Sequence, residues 1–282
     1  MEPKVCELKI HEVRTISFSA LQDFKLCPYY YMLCHVYKLR PFTNNVWTLY
    51  GKWLHIAVQN VLMNKCDAET AVKKFERTWK KFCGLYKKGI AKDVKDGVDP
   101  MDFGIPAVIT IRTIKDRFLE EFGPFEALEA EEWLRQKCNP FPQDFVGCID
   151  LPIRQLNTGK IIITDFKSCG SSFMFNKFMD SFKSYQLTLY KHFYSQKHNV
   201  PMENIETYFV TMERNPKSKK PLGFFRVTSG PKKVENALKW LNDTLDSINT
   251  KCFMKNICSC QKFGENHKCM FYGTEHCKRN TK

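Results

Sequence analysis

Gly147-Cys148-Ile149-Asp150 and Ile161-Ile162-Ile163-Thr164-Asp165-Phe166-Lys167 flank a segment that holds Asn157-Thr158-Gly159. Apolar, β-branched flanks around that turn signal read as a β-hairpin. The turn sets the register. A two-residue loop at Asn157-Thr158 pairs residues whose numbers sum to 315, and a three-residue loop ending at Gly159 gives 316. Asp150 and Asp165 sum to 315, so their carboxylates stand opposite or nearly opposite each other. Opposed residues have Cβ atoms about 5 Å apart and share a face. Lys167, two residues on, shares the face of Asp165.

Two carboxylates side by side repel unless something compensates them. A divalent cation does so directly, and oxygen ligands with open positions suit Mg²⁺ or Mn²⁺. A neighbouring ammonium can orient a water or stabilise charge developing on phosphorus-bound oxygens. Together these are the parts of a phosphodiester hydrolase. A solvent-facing Asp–Lys cluster is the plainer alternative. Against it stands the run Ile161-Ile162-Ile163, which places the strand inside a sheet. Acids at the end of a buried strand need a reason.

Working outward, three strands are predicted over Glu126 to Lys137, Phe145 to Arg154 and Lys160 to Lys167. A helix follows over Asn176 to Lys197, then strands over Ile205 to Met212 and Gly223 to Val227, then a helix from Pro231 to Ile248. The N-terminal half is helical. Ser19 to Gln22 has capping-box spacing, and Pro28 restarts the helix, which runs on to about Leu39. Further helices are predicted over Trp47 to Met63, Glu69 to Leu85 and Ile105 to Phe122, with an exposed loop over Lys87 to Asp102. This order predicts a mixed α/β (α+β) core with helical and cysteine-rich additions. Three regions are expected: a helical one over 1–125, the core over 126–250 and a cysteine-rich tail over 251–282.

Of 282 residues, 43% are hydrophobic and 26% charged, which excludes wholesale disorder. Lys+Arg exceeds Asp+Glu by 44 − 30 = 14, an excess that suits a polyanion, nucleic acid before anionic membrane. No stretch approaches the roughly 20 apolar residues of a membrane span. The first residues lack the apolar region of a signal peptide, so an intracellular, unsecreted protein in a reducing compartment is expected. There are 13 cysteines. Cys258, Cys260, Cys269 and Cys277 are separated by one, eight and seven residues, with His267 and His276 nearby. Zinc favours tight pairs two to four residues apart, which these are not. Three thiolates around a larger cofactor, completed by a fourth from elsewhere, fit the spacing better.

These segments, taken together, resemble the PD-(D/E)XK nuclease superfamily, in particular its RecB-like exonuclease branch, which includes the AddB nuclease domain and the CRISPR-associated RecB-like exonucleases. Gly147-x-x-Asp150 and Asp165-Phe166-Lys167 look like its second and third motifs. Gly51-Lys52-Trp53-Leu54-His55 resembles the helical histidine motif, and Gln186-Leu187-Thr188-Leu189-Tyr190 the Q-x-x-x-Y motif. Ser17-Phe18-Ser19 with Cys27-Pro28-Tyr29 resembles the N-terminal signature. Any one piece is weak; five in order, over nearly the whole chain, are strong.

The resemblance implies a restriction-endonuclease-like core with a helical N-terminal cap and a cysteine clasp. It implies Mg²⁺- or Mn²⁺-dependent hydrolysis of DNA, with His55, Asp150, Asp165 and the Phe166 carbonyl as metal ligands. Lys167 would position water or stabilise charge, Gln186 would contact Lys167 or the scissile phosphate, and Tyr190 would shape the site. An acid upstream of Asp150 is also expected, with Glu129, Glu131 and Glu132 as candidates. The implied clasp is a [4Fe–4S] cluster on Cys27, Cys260, Cys269 and Cys277. Cys34 and Cys258 remain alternatives, since many relatives have two terminal cysteines closer together. The implied mode is exonuclease action on single-stranded ends or overhangs, in recombination, repair or phage-type DNA processing, in cytoplasm or nucleoid. A rival reading is a non-catalytic, metal-clasped DNA-binding protein, which would have no reason to keep Asp150, Asp165 and Lys167 together. A zinc-dependent regulator is the third, and lacks its knuckles.

Overall fold

The computed structural model describes residues 10–39, 46–85, 99–177, 179–260 and 269–278. The chain divides into two compact units. One is drawn from residues 1–42, 135–147 and 235–282, the other from 43–134 and 148–234. The architecture is mixed α/β, with helices and two mixed sheets, in agreement with the fold class expected from the sequence. No helix among the described residues is long and apolar enough to cross a membrane.

The second unit is built on a five-stranded sheet in the order β2 (Phe125–Ala127), β5 (Leu151–Gln155), β6 (Ile161–Cys169), β7 (Ile205–Glu213), β8 (Leu222–Arg226). β6 and β7 are parallel; the other pairings are antiparallel. The β5–β6 ladder pairs Leu151 with Thr164 and Arg154 with Ile161, the predicted sum of 315. The loop is longer than the two or three residues expected. Gln155 and Lys160 close it through an N–H···O bond of 2.9 Å, and the Gly159 amide turns back to the Gln155 carbonyl at 2.8 Å. Gly159 has φ 70°, the left-handed conformation that glycine adopts without penalty. The turn opens one rung early and leaves the register unchanged.

Three helices form this unit's apolar centre: α3 (Val46–Leu62), α4 (Ala68–Leu85) and α5 (Gly104–Phe122). α3 buries Tyr50, Leu54, Val58 and Val61, and α5 buries Ala107, Ile111, Ile114 and Phe118, the spacing of one helical stripe. Phe166 of β6 is fully packed and meets Phe118 with ring centroids 6.3 Å apart. α6 (Ser172–Lys177) and α7 (Ser181–His198) follow β6, and α7 packs on β6 and β7.

The first unit holds a three-stranded sheet in the order β1 (Thr15–Ser17), β4 (Asp144–Ile149), β3 (Glu132–Lys137), with β1 and β4 parallel. It also holds α1 (Phe18–Leu26), the short α2 (Pro28–Tyr31) and most of α8 (Pro231–Asn249). β3 and β4 run on into the second unit.

Several predicted elements are corrected. The strand expected over 145–154 is two strands, β4 and β5, in different sheets, and Asp150 is the break between them. The strand over 126–137 likewise splits into β2 and β3, with Glu131 at φ 58° in the break. The helix over 176–197 is α6 and α7, the latter capped by the Asp180 side chain accepting from the Lys183 amide at 2.6 Å. α1 is capped by Ser17, whose Oγ accepts from the Ala20 amide at 3.3 Å, and not by Ser19. After α2 the chain makes a π turn over Met32–Val36 and ends short of Leu39. Most of the predicted loop 87–102 lies outside the described residues; its end, Pro100–Phe103, is a 3₁₀ turn capped by Asp99.

Candidate active site

One strip of α3, formed by Trp47, Thr48, Gly51, Lys52, His55 and Ile56, makes a wall of an open cleft of about 710 Å³. These positions recur every four residues, so they share one helical face. Glu131, Asp150, Phe166, Lys167 and Ser168 line it opposite. Helix and strand come this close because of Gly51. A Cβ there would stand 3.0 Å from Ser168 Oγ and 3.7 Å from its Cβ.

Asp150 sits where β4 ends and β5 has not begun. Its Oδ2 accepts the Phe166 amide at 2.6 Å, and His55 Nδ1 lies 3.7 Å from the same oxygen. Asp165, in β6, is 3% exposed. Its Oδ1 accepts from Gln186 Nε2 of α7 at 3.0 Å. Its Oδ2 is buried and receives no well-directed hydrogen bond, although Lys167 Nζ lies 2.6 Å away. Gln186 also reaches the Tyr190 hydroxyl at 3.4 Å, one turn on along α7. His55, Asp150, Phe166 and Lys167 line one cleft of the second unit, and Asp165, Gln186 and Tyr190 are chained behind Lys167.

The electrostatics follow from this crowding. Burial, then the charge of Asp165, holds the Asp150 carboxyl well above the ordinary carboxylate range. Burial pushes His55 down to about 4, which leaves the imidazole neutral with a lone pair to give. Burial also raises the Tyr190 hydroxyl, so it stays a neutral donor. Among the described residues, no three His, Cys, Asp or Glu side chains are gathered tightly enough to chelate an ion as they stand. The donor set nevertheless suits a hard divalent cation. Positive charge beside Asp150 and Asp165 would relieve their repulsion, and Asp165 Oδ2 would gain the directed partner it lacks.

Of the three upstream acids, Glu131 lines the cleft. Glu132 is buried and held by Lys197 and His198, each 2.6 Å from its Oε1, and Glu129 is exposed. Sequence reasoning missed Gln59 and Cys148. Gln59, one turn beyond His55 on α3, is buried and donates to Glu131 Oε1 at 2.8 Å and to the Asp150 carbonyl at 2.9 Å. A polar residue on the buried face of α3 was the available signal. Cys148 donates to Glu131 Oε2 at 3.3 Å, and burial together with that carboxylate pushes its thiol up to about 12.

In the first unit, Cys27, Cys260, Cys269 and Cys277 line one pocket with Tyr29, Tyr30, Leu33 and Phe271. All four are free thiols. The Asn256 amide donates to Cys27 Sγ at 3.3 Å, and the Tyr29 hydroxyl donates to the His276 carbonyl at 3.0 Å. Burial, then the neighbouring thiols, raises the Cys260 and Cys269 sulfhydryls. Cys34 belongs to the same apolar cluster without lining the pocket, and Cys258 is exposed.

A family model of the PD-(D/E)XK nuclease superfamily matches residues 15–270. Comparison with curated protein sequences gives no match. Among solved structures, the chain is similar to a protein of Eubacterium rectale described as a "putative exonuclease". The identity is 12% and the TM-score 0.49, over 95% of this chain and 88% of that one. It is also similar to the protein SSO0001, at 12% identity and a TM-score of 0.32, over 81% of this chain and 100% of that one. The family match takes in every lining residue of the cleft, from Trp47 to Ser168, and the Gln186–Tyr190 pair behind it. The chain belongs to the PD-(D/E)XK nuclease superfamily.

Proposed function

We propose that the chain is a Mg²⁺- or Mn²⁺-dependent deoxyribonuclease that hydrolyses phosphodiester bonds, acting as an exonuclease on single-stranded ends or overhangs. The observation that carries this reading is the pair Asp150 and Asp165: Asp150 lines an open cleft beside His55, and the buried Asp165 stands behind it against Lys167, which lines the same cleft. His55, Asp150, Asp165 and the Phe166 carbonyl would hold the metal. The bound ion would neutralise the phosphate and lower the pKa of a water. The residues supply the rest. Neutral His55 offers a lone pair without adding charge. Lys167 lines the cleft, where its ammonium would donate to a phosphate oxygen or to the attacking water. Gln186 fixes the rotation of Asp165 by donating to Oδ1, which leaves Oδ2 beside the Lys167 ammonium. Tyr190 holds Gln186 in turn.

A [4Fe–4S] cluster on Cys27, Cys260, Cys269 and Cys277 is part of the same reading, supported by the shared pocket and the amide donated to Cys27 Sγ. Its role would be structural. The net charge of +14 suits a DNA partner inside a cell, in recombination, repair or phage DNA processing.

The test is direct. The protein is purified anaerobically, its visible spectrum recorded, and end-labelled single- and double-stranded DNA incubated with Mn²⁺. Stepwise loss of end nucleotides from single strands is expected. Absence of Asp165-dependent cleavage under any divalent ion would sink the nuclease reading and leave a DNA-binding protein.

A further inference from the structure

The cleft is longer than the chemistry needs. Its carboxylates, Glu131 and Asp150, stand beside His55 and Gln59 on α3. Toward the start of α3 the lining continues through Lys52 and Gly51, which Ser168 of β6 faces, to Trp47. Arg214, just past β7, lays its guanidinium over the Trp47 ring, 4.8 Å from the centroid. Its backbone amide donates to the Cys169 carbonyl at 2.8 Å, which ties the residue's main chain to the strand that bears Asp165 and Lys167. Trp47 is held edge-on by Phe103, with centroids 4.9 Å apart. Trp79 backs the ring, nearly parallel at 6.4 Å, so the plane offered is the guanidinium laid on Trp47, and a guanidinium plane on an aromatic is an arrangement that takes an unpaired base and its phosphate.

Trp47 precedes His55 by eight residues on α3, about 12 Å along the axis at ~1.5 Å per residue. Stacked bases rise ~3.4 Å per strand position, so this spans a few nucleotides. We propose that Trp47, with Arg214 and Lys52, forms a base-stacking subsite that grips single-stranded DNA a few nucleotides from the bond held at Asp150. The proposal rests on the nuclease reading for its choice of polymer, and it assigns the subsite to the unpaired strand. In a duplex the base faces are already stacked and a tryptophan platform gains nothing.

The test is binding, read without cleavage. Fluorescence anisotropy of labelled single-stranded oligonucleotides is measured in Ca²⁺, with one abasic site moved along the strand. In the unaltered protein one abasic position should weaken binding about tenfold, within the range of single base–aromatic stacks. Trp47→Leu keeps apolar bulk but loses the platform. It should bind the intact strand about tenfold more weakly and lose sensitivity to that position. Trp47→Phe should keep most of both. Melting curves show whether each variant is folded. A flat abasic scan, or a scan in Trp47→Leu with the same minimum as the unaltered protein, overturns the proposal. Binding with the expected minimum but no cleavage in Mn²⁺ would overturn the nuclease reading and leave the subsite standing.

Discussion

Asp150 lies just past the last rung of the ladder, which pairs Leu151 with Thr164, and it reaches Phe166 of the facing strand with its side chain. Its Oδ2 takes the Phe166 amide at 2.6 Å just where the chain leaves one sheet for another. The carboxylate thus terminates a strand pairing and faces the cleft at once.

Removing either end of the Asp165–Lys167 contact should stop the chemistry without unfolding the protein. For Asp165→Asn or Lys167→Ala, kcat should fall by at least about 10²-fold, the cost of losing one well-placed charged group in such a site. DNA binding in Ca²⁺ should persist. Mg²⁺ or Mn²⁺ should support cleavage and Ca²⁺ should not, because its larger, looser shell positions water poorly. A Lys167→Ala protein that cleaves at the normal rate would remove lysine from the mechanism.

Gln186 acts through Asp165, so its loss should show first as weaker metal binding. Gln186→Leu is expected to lower Mn²⁺ affinity by about 10- to 100-fold, the usual effect of removing the partner of a ligand. Titration calorimetry reads this, and excess Mn²⁺ should restore most of the rate. A loss of rate that no Mn²⁺ concentration restores would mean that Gln186 touches substrate.

Gly51 tests the closeness of α3 and β6. Gly51→Ala drives a methyl to 3.0 Å from Ser168 Oγ, so α3 or Ser168 must shift and His55 with it. Activity should drop by about tenfold, in line with the sensitivity of catalysis to displacements of an ångström or less. The double variant Gly51→Ala, Ser168→Ala removes the clashing oxygen and leaves a Cβ at ordinary contact, 3.7 Å away. Its activity should recover. Failure to recover would place the effect of Gly51 elsewhere.

For the clasp, Cys27→Ser is the sharpest variant, because no local tail site involves it. Iron and sulfide content and melting temperature should all fall, as they should for Cys269→Ser and Cys277→Ser, since cofactor binding and folding are linked. Cys252, exposed and outside the pocket, should tolerate Ser without change. Full iron retention in Cys27→Ser would exclude it as a ligand.

Asp144 on β4 gives a pH signature in the first unit. Hydrogen bonds from Lys137 and then Arg135, at 2.8 and 2.7 Å, hold its carboxyl below the ordinary range. A depressed folded pKa means that the folded state binds fewer protons than the unfolded chain. The stabilisation is then complete above the unfolded value near 3.8 and is lost as pH falls through the folded one. The melting-temperature gap between the unaltered protein and Asp144→Asn should be constant near neutrality and close below about pH 3.8. A gap independent of pH would show that the ion pairs contribute nothing.

The hairpin register was legible because a turn fixes a sum, and 315 survives the change from a two-residue to a four-residue loop. Strand ends were not. Alternation marks which side chains are buried, not which sheet buries them, so the switch between sheets at Asp150 left no trace in the pattern. Glu131 could not be told from Glu129 and Glu132, since the choice depends on a left-handed residue that composition does not demand. Gln59 was passed over because a lone amide on an apolar face carries no motif.

The first unit is assembled from three separated stretches of chain, and its cysteine pocket joins residues as remote as Cys27 and Asn256, 229 apart. Closing a loop of that size costs about 5 kcal/mol of chain entropy. At ~5–20 residues per second on a ribosome, Cys27, Tyr30 and Leu33 wait about 10–50 s for the residues that cover them. During that interval a nascent chain displays an apolar, thiol-bearing face, which makes it a client for whatever shelters hydrophobic surface in the cell.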